Sequence, residues 1–140
     1  AISTDIIVGF PTETDEEFLD TVDVVNKVRF DSAFIFKYSE RPNTRAAQKF
    51  PDDVPEAIKT ERIMLLNEIQ NKINLEKNQA LIGSTQRVLI ESLSTKKSDN
   101  EVQGRTDCNR IVILPKTNQQ LGDTIDVSIT HATRNVLLAK

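Results

Sequence analysis

One cysteine, Cys108, and one histidine, His131, are the whole stock of soft metal ligands in this 140-residue sequence. A lone cysteine excludes an internal disulfide framework and suits a reducing cytoplasm. It also cannot supply the three or four thiolates of a metal cluster. Nothing beside Cys108 in sequence would activate its thiol, and His131 has no evident carboxylate partner and should end a strand. Neither is expected to carry chemistry. No apolar run approaches the roughly 20 residues of a membrane span, and the first residues lack the basic start and apolar stretch of a signal peptide. Internal repeats and low-complexity segments are also missing.

What is present is the composition of a globular chain, 38% apolar and 28% charged. Its length allows one ordinary domain or two small ones. The net charge of −3 hides an asymmetry. Residues 1–77 carry 15 acidic and 10 basic side chains, a balance of −5, and residues 78–140 carry 6 acidic and 8 basic, a balance of +2. The second half is the one more suited to a polyanion, although its field is weak.

The hydrophobic period divides the chain at the same place. Ile6, Ile7 and Val8 form a β-branched run that suits a strand buried on both faces. It begins almost at the first residue, so Ala1 to Asp5 leave little room for an earlier element. Gly9, Phe10 and Pro11 break it. Thr14 with Glu17 is a capping box, and Phe18, Val22, Val25 and Val28 recur at helical spacing, so a helix is expected over 15–28. Ala33 to Phe36 reads as a second buried strand, completing a βαβ unit with parallel strands. A polar loop over 37–53 follows. A long helix then starts after Asp52 or Asp53 with Pro55 in its first turn, runs toward Leu81 and stops at Gly83. Its apolar face would hold Ile58, Leu65, Ile69 and Ile73, widened by Met64 and Leu66.

From Thr85 the period becomes two, in "TQRVLIESL", "RIVIL" and "DTIDVSIT", separated by turn-forming stretches. Short strands at this spacing read as a small β-barrel. The expected fold is therefore an α/β portion over 1–77 and an all-β portion over 78–140. In parallel βα folds, ligands bind beyond the carboxyl ends of the strands. Those ends carry "GFPTET" and "KYSERPNT", so both loops are candidate ligand loops.

The segments "TDIIVGFPTET", "FDSAFIFKYSERPNTRAA", "DDVPE", "EKNQALIG", "TQRVLIESLS" and "QGRTDCNRIVIL" occur in this order, and together they resemble the carboxyl-terminal part of the radical-SAM methylthiotransferases. The similarity is to their MiaB-type tRNA-modifying branch, which adds a methylthio group to isopentenyl-adenosine beside the anticodon. It implies that residues 1–77 are the end of a radical-SAM partial (β/α) barrel and that residues 78–140 are a TRAM domain, a small antiparallel β-barrel that holds tRNA. It also implies S-adenosylmethionine and two 4Fe-4S clusters in a complete enzyme. The cluster cysteines are not in this stretch, so by itself it should hold no cluster and catalyse nothing. The implied partner is the tRNA anticodon stem-loop, without DNA or a membrane.

By the same resemblance, Gly9, Phe10, Phe36 and Tyr38 would lie beside S-adenosylmethionine and the substrate base. A glycine admits close backbone approach, and aromatic faces stack on adenine. The plainer reading is that Gly9 makes the turn and Phe36 fills the core. In the barrel, Arg87, Lys96, Lys97, Arg105, Asn109 and Arg110 are the RNA-contact candidates, set against a merely solvated face. The acids of "ETDEE" are accounted for by capping and the helix dipole. The family commonly has glycine at the positions of Thr12 and Asn43, and proline in place of Arg45. Asn43 can take the left-handed conformation, whereas Thr12 should resist it.

Two other functions compete. One is a free-standing RNA-binding module without catalysis. The other is a sister methylthiotransferase acting on a ribosomal protein or another modified adenosine. A barrel without its early strands would also expose the edge of Ile6 to Val8, so strand-exchanged self-association is expected.

Overall fold

The structure, a computed structural model, describes residues 1–140. It divides into two compact units, Ile2–Ile73 and Asn74–Lys140.

In the first unit, β1 (Ser3–Val8) and β2 (Ser32–Lys37) form a parallel two-stranded sheet, in register from Ser3 opposite Ser32 to Val8 opposite Lys37. Between them lies α1 (Asp15–Val28). Its capping box is formed, with Thr14 Oγ1 accepting from the Glu17 N–H and the Glu17 carboxylate accepting from the Thr14 N–H. Phe18 and Val25 on α1 pack with Val8, Leu66 and Ile73, and Ile6 and Ile35 lie against this core. The strands are not buried on both faces as expected. Ile7, Phe34 and Phe36 are each more than half exposed, because one face of the sheet meets the core and the other meets none. Side chains alternate across a strand, so an uninterrupted apolar run does not by itself tell one covered face from two.

The loop over 37–53 contains a short helix absent from the sequence reading, α2 (Arg45–Lys49). Thr44 caps it by accepting the Ala47 N–H. Asn43 is left-handed as expected, at φ 66°, but so is Thr12, at φ 75°. The Thr12 N–H donates to Asp53 at 2.7 Å, a charge-assisted bond that offsets the roughly 1–2 kcal/mol of left-handed strain.

The long helix α3 (Glu56–Gln79) begins after Pro55, whose carbonyl accepts the Lys59 N–H, and ends two residues before Leu81. Asp52 and Asp53 do not cap it. They hold Lys59 and the Thr12 N–H instead. Its buried positions also differ from the expected stripe. Met64 and Leu65 are exposed, while Lys59, Arg62 and Gln70 are buried along with Leu66 and Ile73.

The second unit is a closed barrel of order β3-β4-β5-β7-β6, whose strands are β3 (Thr85–Ser92), β4 (Glu101–Thr106), β5 (Ile111–Pro115), β6 (Thr124–Ala132) and β7 (Val136–Ala139). All pairings are antiparallel except β5 with β7. Closure leaves no unpaired edge. Inward positions fill the interior with Val88, Ile90, Val102, Val112, Leu114, Val127, Ile129 and Leu137. The strands β4 and β7 were not singled out in the sequence. One carries Val102, Gly104 and Thr106 inward between polar residues, and the other has four residues. His131 lies near the end of β6, and Cys108 is exposed in the turn between β4 and β5. No helix is long and apolar enough to cross a membrane.

Candidate ligand pocket and nucleic-acid interface

The carboxyl ends of β1 and β2 open onto a cavity of about 540 Å³ lined by Ile7, Phe10, Phe36, Tyr38, Arg41 and Thr44, among others. Three of the four residues singled out for S-adenosylmethionine therefore share one pocket. Phe10 and Tyr38 meet edge to face, with ring centres 5.1 Å apart. The Tyr38 hydroxyl is buried and has no hydrogen-bond partner within the protein. The aromatic lining fits the adenine part of S-adenosylmethionine. A cluster does not fit, since the chain has one cysteine and an iron–sulfur site takes several.

Gly9 does not line this pocket. It is left-handed at φ 69°, and a Cβ there would sit 2.3 Å from Cγ of Lys59. The open side of the glycine is filled by a lysine stem. Lys59 reaches across it to bond both oxygens of Asp52 at 2.6 Å, and its ammonium lies 5.4 Å from the Tyr38 ring centre.

One turn along α3, Arg62 binds Glu13 at 2.5 Å and Asp15 at 2.7 Å, and Glu13 also accepts the Gly9 N–H at 2.6 Å. Two buried cations of α3 thus hold the chain on either side of it, Arg62 the loop after β1 and Lys59 the segment before α3. Sequence reading missed both. The signal was available, since Lys59 and Arg62 precede Leu66 and Ile73 at helical spacing. Elsewhere, far from the rim in sequence, the Lys27 ammonium has its pKa raised by the hydrogen bond and charge of Asp23.

In the barrel, Arg105 leaves β4 opposite Leu89 of β3. Its Nε donates to Glu91 at 2.9 Å, and its Nη1 donates to the backbone and side-chain oxygens of Asn109 at 3.2 and 3.1 Å. Asn109 is left-handed at φ 63°, which turns these oxygens back toward the strand. Arg110 points elsewhere, to the Asn78 side chain, which itself donates to the Thr133 carbonyl. Arg87 is exposed, 4.0 Å from Asp126, and Lys96 and Lys97 are exposed in the loop after β3. The structure brings Arg105 and Asn109 together and leaves the other four apart.

A closed five-stranded barrel with these basic positions defines a class. Residues 79–140 match the TRAM domain family. The chain as a whole is similar to proteins named tRNA-2-methylthio-N(6)-dimethylallyladenosine synthase. It is 44% identical over 137 residues to that of Azobacteroides pseudotrichonymphae genomovar. CFP2, covering 98% of this chain and 30% of the relative. Against that of Porphyromonas gingivalis it is 44% identical over 140 residues, covering 100% and 30%. Against that of Thermoanaerobacter pseudethanolicus it is 48% identical over 131 residues, covering 94% and 27%. The chain spans about 30% of the length of these curated relatives and aligns with their carboxyl-terminal part.

Proposed function

We propose that this chain is the carboxyl-terminal portion of a cytoplasmic tRNA methylthiotransferase. The reaction is the transfer of a methylthio group to N6-dimethylallyl-adenosine (isopentenyl-adenosine) next to the anticodon, by radical-SAM chemistry. The observation that carries this is 44% identity maintained along the whole chain to a synthase of that name.

In this reading, residues 1–77 close the end of the radical-SAM barrel and residues 78–140 grip the anticodon stem-loop. Phe10, Phe36 and Tyr38 form a wall for a nucleoside, and Gly9 serves that wall by letting Lys59 pass behind it. Arg87, Lys96, Lys97, Arg105 and Arg110 meet RNA phosphates. When bound, the clusters and S-adenosylmethionine supply the radical and the methylthio group, on thiolates carried outside this stretch. The single cysteine also keeps alive the reading of a binding module without catalysis. The sister enzymes are disfavoured by the relatives' names.

The test is direct titration of this chain with an unmodified tRNA anticodon stem-loop over a range of salt. Log affinity should fall linearly with log salt, by about 0.7–0.9 for each phosphate neutralised. Affinity that is absent, or indifferent to salt, would end the RNA-binding reading.

The uncovered sheet face supports a further expectation. Ile7, Phe34 and Phe36 stand exposed on strands that pair only with each other, and such edges and faces recruit a second copy. Sedimentation velocity should show a weight-average mass that rises with concentration and is lowered by Phe34→Lys. A monomer throughout would refute the self-association.

A further inference from the structure

The RNA-contact candidates Arg105 and Asn109 are not independent groups. Arg105 has five N–H donors in a rigid fork. Glu91 accepts from Nε, and Asn109 accepts from Nη1 through two oxygens. No protein group accepts from Nη2.

The support comes from both sides, and on one of them Glu91 sits where the β3–β4 register shifts between Ile90 and Ser92. Glu91 lies on β3, whose Leu89 is directly opposite Arg105. Asn109 lies in a tight turn in which its N–H donates to the Thr106 carbonyl at 2.8 Å, while the Thr106 N–H donates to the Arg110 carbonyl at 3.0 Å. Arg105 and Glu91 are each a little over one-third exposed, so the fork is held at the surface.

We propose that Glu91 and Asn109 hold Arg105 as a preformed fork whose Nη2 edge receives one RNA phosphate. Glu91 is then a positioning residue that acts through Arg105. This rests on the RNA-binding reading of the barrel and assigns Glu91, an acid, a favourable part in binding a polyanion. The physical reason is entropic. An arginine free to rotate must be ordered when phosphate binds, whereas a braced one already is. Against this stands the repulsion between Glu91 and the phosphate, weakened by solvent at an exposed site.

The two effects separate by substitution. Glu91→Gln keeps an acceptor for Nε and removes the charge. Glu91→Ala removes both. Anticodon stem-loop affinity should stay equal or rise about twofold in Glu91→Gln and fall about threefold in Glu91→Ala, the difference being one ordered side chain. The salt slope should be unchanged in both, because no phosphate contact is deleted.

Arg105→Lys keeps the charge without the fork, so its affinity should fall with that of Glu91→Ala. The two glutamate variants moving together, or neither moving, would overturn the inference. Lys96→Ala with Lys97→Ala tests the underlying reading separately. If that pair lowers the salt slope while the Glu91 variants do not diverge, the barrel binds RNA and the fork is not preformed. If the unaltered chain shows no salt-dependent affinity, both fall.

Discussion

Arg62→Met is expected to destabilise the Ile2–Ile73 unit by about 3 kcal/mol, the low end for breaking a buried ion pair from one side. Arg62 is 5% exposed. Its guanidinium binds Glu13 and Asp15 and lies 5.3 Å from the Phe18 ring centre. Methionine keeps most of the apolar stem, so packing on Phe18 largely survives. What is lost is the charge opposite Glu13, whose carboxylate would keep only the Gly9 N–H. Asp15 contributes little, being almost fully exposed.

The readout is local, because Tyr38 is the only tyrosine in a chain without tryptophan. Its emission reports denaturant unfolding of this unit alone. Arg62→Met combined with Glu13→Gln should be more stable than Arg62→Met by itself, since an isolated charge is worse than none. A single-variant loss under about 0.5 kcal/mol, the usual range for surface changes, would show that the pair holds nothing.

These buried cations also mark where the sequence stopped being legible. The helix α1 could be read to the residue, because its capping box and its Phe18, Val22, Val25 and Val28 stripe are local signals that agree. The face of α3 could not. Its inward positions include Lys59, Arg62 and Gln70, so apolar periodicity pointed instead to Leu65 and Met64, which are exposed. The partners that justify burying these residues, Glu13, Asp52 and the Phe30 carbonyl, stand seven to 49 residues away. No spacing rule reaches them.

The pocket was half legible for a related reason. The rule that ligands meet the carboxyl ends of parallel strands pointed to the loops that hold Phe10 and Tyr38, and the family resemblance singled out Phe10, Phe36 and Tyr38 themselves. Lys59, which fills the open side of Gly9, comes from a helix that the rule does not mention. In the barrel, Arg105 and Asn109 were legible as a segment. Glu91 was not, because its meeting with Arg105 depends on the β3–β4 register.

That register gives the other large effect. Gly104→Ala is expected to unfold the barrel or to loosen β3 from β4, with loss of RNA affinity. A Cβ on Gly104 would lie 2.4 Å from the Leu89 carbonyl oxygen and 2.5 Å from Cγ1 of Val88. The first neighbour is backbone and cannot rotate away. The second is a stiff β-branched side chain, fully buried. Overpacking a dense interior typically costs about 1–3 kcal/mol. Displacing a ladder strand in a closed barrel should exceed that, because all five strands share one ring of hydrogen bonds.

Gly104 also stands beside Arg105, and the strand it would displace carries Glu91. The Arg105 fork should therefore be lost even if the barrel survives. Amide proton dispersion of the full chain separates the outcomes. Loss of shifts from residues 85–139 with retention of those from 3–28 is the expected result. A fully dispersed spectrum with unaltered RNA affinity would mean that β3 can move aside, and that the close approach at Gly104 is not required by the fold.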